Sequence, residues 1–205
     1  MYLIKTPFWL RWLYPGLVWR KISAKPVIYL TFDDGPIPEV TPFVLSVLER
    51  YDAKATFFCI GDNIRKHPGI FQKLIEGGHA IGNHTFNHLK GWKTKDEVYL
   101  ENFKLCDNLT KSKLFRPPYG RIKRSQVSKL KNEYPGLKII MWDVLSGDFD
   151  LGLSPEKCLK NVLKATEAGS IVVFHDSLKA FERLEYVLPR ALEFWKKQGY
   201  SFEKL

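Results

Sequence analysis

Five short stretches of this 205-residue chain carry side chains suited to acid–base or metal chemistry. Asp33 and Asp34 stand side by side after the apolar run 26–32, and His84 and His88 lie four residues apart. Arg116 precedes Pro117, Pro118, Tyr119 and Gly120, Asp143 follows Trp142, and His175 follows Phe174. Two imidazoles at that spacing, on a helix or in a tight turn, can share a metal ion, and one carboxylate would complete a three-residue ligand set. The Asp pair supplies it with one acid to spare. Adjacent acids repel unless a cation or an arginine offsets them. Taken alone, Asp33-Asp34-Gly35-Pro36 also reads as a plain turn, and a lone pair of histidines four apart is a weak signal.

The elements around these residues argue that they meet. Residues 26–32, 54–60, 79–84, 113–116, 138–142 and 170–174 read as strands, and 201–205 as a last one. Between them come helical patterns. One covers 40–51, and another is opened by Pro68 and closed by Gly77-Gly78. A third has capping-box spacing from Thr94 to Glu97 and a face of Val98, Asn102, Leu105 and Leu109. A fourth is opened by Ser154-Pro155 and closed by Gly169. The last carries Leu188, Ala191, Leu192 and Trp195, with Pro189 in its first turn and a short helical piece before it. Such β-α alternation implies a parallel sheet, open and doubly wound or closed into a barrel. No G-x-G-x-x-G follows the first strand, so a dinucleotide site is unsupported. In a parallel barrel the strand C-termini share one rim, so the five reactive stretches are expected to converge there.

Composition sets outer limits. Hydrophobic residues make up 45% and charged residues 26% of the chain, an ordinary globular balance. The net charge of +10 favours an anionic polymer or surface, or is simply a basic solvated face. With no recognition helix or aromatic platform in the sequence, no nucleic-acid partner is expected. Cys59, Cys106 and Cys158 are odd in number, lack metal-ligand spacing and read as buried free thiols. His67 and His79 read as structural. Residues 7–19 hold Trp9, Trp12 and Trp19 but are interrupted by Arg11 and Pro15, so they are too short to span a bilayer. They read as a packed helix or cap, or as a peripheral membrane contact. With neither a clear signal peptide nor a transmembrane span, the expected location is cytoplasmic or membrane-associated. A monomer is expected, with residues 1–25 an extension packed on a catalytic domain of 26–205.

At the level of whole motifs, Thr31-Phe32-Asp33-Asp34-Gly35-Pro36 resembles the first motif of the NodB-homology polysaccharide deacetylases, carbohydrate esterase family 4. His84-Thr85-Phe86-Asn87-His88 is similar to their second, Arg116-Pro117-Pro118-Tyr119-Gly120 to the third, residues 142–149 to the fourth and Val173-Phe174-His175 to the fifth. The resemblance implies an α/β fold, a distorted (β/α) barrel of about seven parallel strands. It implies that Asp34, His84 and His88 hold one divalent metal ion, Zn²⁺ first, with Co²⁺, Ni²⁺ or Mn²⁺ able to take its place. It makes Asp33 the base, Arg116 its partner, His175 the acid and the Tyr119 backbone N–H an oxyanion donor. Pro117, Trp142, Asp148, Phe149 and Val173 would line the substrate site.

The fourth motif departs from the family pattern. Where many members carry an acid that supports the acid histidine, this chain has Leu145. Asp143 or Asp148 are the candidate substitutes, and a poorly supported His175 would be a weaker acid near neutrality. The expected activity is removal of N-acetyl groups from N-acetylhexosamine units of a peptidoglycan- or chitin-like polymer. An O-acetyl esterase acting on xylan or another glycan, whose leaving group needs less acid help, is the alternative. A non-catalytic carbohydrate-binding module of the same fold is a third reading.

Overall fold

The computed structural model describes residues 2–23 and 25–205. In chain order the elements are α1 (Phe8–Leu13), β1 (Val27–Asp33), α2 (Val40–Arg50), β2 (Ala55–Cys59), α3 (Gly61–Lys66), α4 (Pro68–Glu76), β3 (Ala80–Asn83) and α5 (Asp96–Thr110). They continue with β4 (Leu114–Phe115), α6 (Arg124–Glu133), β5 (Lys138–Ile139), β6 (Val144–Leu145), α7 (Pro155–Ala165), β7 (Ile171–His175), α8 (Phe181–Lys197) and β8 (Ser201–Phe202). Seven strands in the order β5-β4-β3-β2-β1-β7-β6 curl into a half-barrel, all pairings parallel, and β8 adds to the start of β1.

β1 is an interior strand that pairs with β2, β7 and β8, and all seven of its residues are buried. Its period of two sorts them between two cores. Ile28, Leu30 and Phe32 join the cluster under α2 and α8, where Phe32 lies between Phe57 and Phe174 at ring distances of 5.0 and 5.9 Å. Val27 and Tyr29 face the barrel interior with Phe58, Ile140 and Ile171. On that inner face, towards the C-terminal end, β1 turns polar at Thr31 and Asp33. The strand thereby delivers a carboxylate to the rim from a fully packed base.

The N-terminal segment lies along the gap between the ends of the sheet. Val18 bridges Ile140, Lys5 bridges Val144 and Arg20 bridges Ser170. Asp143 is fully buried at the start of β6 and binds Lys5, Arg11 and the Ser170 hydroxyl. That location corrects the expectation for Asp143, which sits at the N-terminal end of the barrel, away from the rim. α1 is the helix expected in residues 7–19, but it buries none of its residues.

Other expectations change in detail. The run 138–142 is not one strand: Lys138–Ile139 pairs with β4, whereas Val144–Leu145 pairs with β7 at the far end of the sheet path. α5 has no side-chain cap, the Thr94 hydroxyl bonding Lys90 O instead. Its buried face is Tyr99, Asn102, Phe103 and Cys106, one position round from the expected stripe, because the larger aromatic rings take the interior. α7 ends at Ala165, and Gly169 sits at φ 81° in the turn before β7. α8 is continuous through Pro189, which costs one N–H bond to the preceding turn. The buried face from Leu184 to Trp195 compensates. The three cysteines are free and buried, as expected.

Candidate active site

Asp33 ends β1 with its carboxylate almost wholly buried beside the fully buried Arg116. Arg116 Nη1 donates to Asp33 Oδ1 and to Thr31 Oγ1, both at 2.7 Å, and Nη2 donates to Met141 O at 2.9 Å. Its Cζ lies 4.2 Å from the Phe58 ring centre. The guanidinium is thus held from several sides, and only one oxygen of Asp33 is engaged by it. Losing one member of such a buried pair strands the other, at a cost of roughly 3–5 kcal/mol.

Next to this pair, one ligand atom from each of Asp34, His84 and His88 falls within 4.8 Å of the others. Asp34 Oδ1 is 3.3 Å from His88 Nε2 and 3.8 Å from His84 Nε2, and it is buried without a hydrogen-bond partner. Two ligands each about 2.0–2.1 Å from a tetrahedral ion lie about 3.3 Å apart, so the spacing fits a divalent ion. His84 Nδ1 lies 2.8 Å from Arg116 O, which fixes the tautomer and turns Nε2 towards Asp34. Burial, reinforced by His88, holds His84 well below the ordinary imidazole range, and burial also lowers His88 against the pull of Asp34 and Asp33. Neutral imidazoles are the form a metal needs. Residues 84–88 form a tight turn, with Thr85 and His88 at φ 61° and 55°, and Asp34 is at φ 87°. Strained backbone of this kind concentrates at functional sites.

His175 ends β7 across the rim. Asp148 grips it twice: the His175 backbone N–H donates to Oδ2 and Nδ1 lies 2.7 Å from Oδ1. Burial alone would lower the imidazole, but the charge and hydrogen bond of Asp148, with Asp34 and Asp33 behind, raise it to about 9. The side chain still has 16% of its surface accessible. Leu145 therefore leaves no gap. Asp148 supplies the support, and a weak acid at His175 is not what the geometry gives.

Residues 20–134, more than half of the chain, match the family model described as polysaccharide deacetylase. A peptidoglycan-N-acetylglucosamine deacetylase of Bacillus cereus is 34% identical over 192 residues, covering 91% of this chain and 89% of that protein. The chain belongs to the polysaccharide deacetylase family. A chitooligosaccharide deacetylase of Azorhizobium caulinodans is 35% identical over 168 residues, covering 78% and 79% of the two chains. Among solved structures, the Bc1960 peptidoglycan N-acetylglucosamine deacetylase superposes with a TM-score of 0.85 at 29% identity, over 98% of this chain and 95% of that one.

Within this deacetylase fold the remaining expected residues fall at different depths. Tyr119 is exposed at φ 58°, its ring 4.5 Å from that of His88. Pro117 is buried. Trp142 packs so closely on Gly120 that a Cβ there would overlap its ring. Phe149 meets His175 edge-on at 5.2 Å. Val173 has no accessible surface and lies one pleat below His175 on the inner face. Asp148, expected among the substrate contacts, is fully buried and committed to His175.

Several supporting residues escaped the sequence reading. Asp176 Oδ1 accepts from Gly35 N–H at 2.9 Å and Oδ2 from the Thr41 hydroxyl. A Cβ at Gly35 would overlap that carboxylate, which explains the glycine after the Asp pair. Asn102 Oδ1 accepts from the backbone N–H of Phe86 and Asn87, tying the histidine turn to α5. Arg183, nearly buried, donates to Asp148 O at 2.6 Å. A polar residue on the buried face of an amphipathic helix was the available signal for Asn102 and Arg183.

Proposed function

We propose that this chain is a metal-dependent hydrolase that removes N-acetyl groups from N-acetylglucosamine units of a peptidoglycan- or chitin-like polymer. The carrying observation is that an Asp33–Arg116 pair and a His175–Asp148 pair share one rim with Asp34, His84 and His88. Those last three residues would hold the ion, Zn²⁺ by donor chemistry. When bound, it supplies Lewis acidity for the acetyl carbonyl and a more acidic water.

The chain's own groups do the rest. Arg116 occupies Oδ1 of Asp33, so the other oxygen is left to take the proton from the attacking water. The water oxygen bonds to the acetyl carbon, and the Tyr119 backbone N–H would stabilise the charge that develops on the carbonyl oxygen. His175 Nε2 then gives its proton to the departing nitrogen, the C–N bond breaks, and acetate and a free amine result. Amide cleavage needs that acid, and Asp148 provides for it, so the case for an ester substrate loses the argument that Leu145 had given it. The complete base, ligand and acid sets also weigh against a non-catalytic module.

The test is acetate release from N-acetylglucosamine oligomers. It should vanish on chelation, return with Zn²⁺ or Co²⁺, and fall by about 10²–10⁴ in Asp33→Asn, the range expected for a general base. Release from O-acetylated xylan but not from the amide oligomers would replace this reading with the esterase.

A further inference from the structure

α1 is built inside out. Its one charged residue, Arg11, turns towards the barrel and pairs with the fully buried Asp143, while Phe8, Trp9, Trp12 and Leu13 face outward at 72%, 50%, 83% and 56% exposure. A short amphipathic helix ordinarily places its apolar residues against the protein. Here four large apolar side chains are exposed within one short helix, and Tyr14, which follows it, is 37% exposed. An exposed apolar patch of this kind marks an interaction surface. The helix is firmly mounted: Thr6 N–H donates to Asp143 O, the Thr6 hydroxyl to Trp142 O, and Lys5 Nζ to Asp143.

Charge indicates the partner. Residues 1–25 contain Lys5, Arg11, Arg20, Lys21 and Lys25 and no acid. Arg124 lies 5.7 Å from the Tyr14 ring, and Lys131 Nζ bonds Gly16 O. Of the acids touching the segment, Asp143 and Glu167 are taken by Lys5, Arg11 and Arg20, and Asp150 accepts from the Tyr2 hydroxyl. Tryptophan beside aliphatic groups with a cationic surround is the composition that settles at the headgroup level of an anionic bilayer. Six helical residues extend only about 9 Å, and among the described residues no helix is long and apolar enough to cross a membrane.

We propose that Phe8, Trp9, Trp12 and Leu13 form an interfacial docking surface for an anionic lipid bilayer, with α1 lying in the plane of the headgroups. The surface is independent of the reaction assigned above. The test is co-sedimentation of the 205-residue chain with vesicles of phosphatidylglycerol and phosphatidylcholine. The chain should pellet with these, stay in solution with pure phosphatidylcholine, and detach as salt rises. The double variant Phe8→Glu, Trp12→Glu should partition at least about tenfold less. Its far-UV circular dichroism and its acetate release from a soluble oligomer should be unchanged. A chain that stays in solution with anionic vesicles, or a double variant that pellets equally, overturns the proposal. So does a dimer in sedimentation velocity that Trp12→Glu abolishes, which would assign the patch to a second copy. Loss of acetate release in both proteins would count against the assigned reaction and leave the vesicle result standing.

Discussion

The double grip of Asp148 on His175 makes the pH behaviour of a single side chain the sharpest residue-scale test. With its folded-state pKa raised to about 9, the imidazole is protonated through neutrality and loses the proton as pH rises through about 9. The acid form, and the stability of the His175–Asp148 pair, are therefore present at lower pH and fade on the alkaline side. Asp148→Asn removes the charge that raises the imidazole, so the alkaline limb of kcat should move towards lower pH by about one unit or more. A pH–rate profile of acetate release checks this, and an unmoved limb would detach Asp148 from the acid. This partner was not legible beforehand. Asp143 and Asp148 lie on either side of Val144–Leu145, and only the register of β6 on β7 sends one to the base of the barrel and the other beneath His175. By contrast, the His84/His88 pair was legible because its spacing is a local property of the chain, whereas the choice of Asp34 over Asp33 beside it rested on the motif resemblance.

At the scale of elements, α5 holds the histidine turn through one side chain. Asn102→Ala would leave the Asn87 N–H without its acceptor and the Phe86 N–H with only the main-chain oxygen of residue 102, at a cost of up to about 1–3 kcal/mol. It should also weaken metal binding by about 10–100-fold, the usual effect of loosening a support behind a ligand. Competition against a chromogenic chelator and a thermal melt measure the two effects, and unchanged metal affinity would separate Asn102 from the site. The long elements could be read from sequence, but α3 and α6 could not. α6 buries only Gln126 and Leu130, so it has no apolar stripe to follow, and α3 is six residues long. The face of α5 was misread because Val98, Leu105 and Leu109 share the helical period with the residues that are in fact buried.

For the molecule as a whole, the orphaned Asp34 oxygen would tie folding to metal if the proposed site is occupied. An ion that binds only the folded chain stabilises it by about 2.7 kcal/mol at a hundred times its dissociation constant. Melting temperature should therefore climb with added Zn²⁺ and stop responding in Asp34→Ala. A variant that still responds would place the ion elsewhere. The parallel sheet was legible from the alternation of runs, since each strand buries its own neighbours. The closing role of residues 4–20 was not, because Lys5, Val18 and Arg20 meet partners far along the chain that share no pattern with them.

That closure also sets a timetable for synthesis. Ile4 and Val18 are made early, yet their backbone partners are Leu145, Ile139 and Met141. At about 5–20 residues per second, a ribosome needs roughly 6–25 s to supply the missing surface. Throughout that interval the aromatic segment has nowhere on its own chain to dock. Residues 4–18 are thus made well before the partners that hold them, and the backbone groups of Ile4 and Val18 stay unpaired with the sheet until residues 139–145 have been supplied.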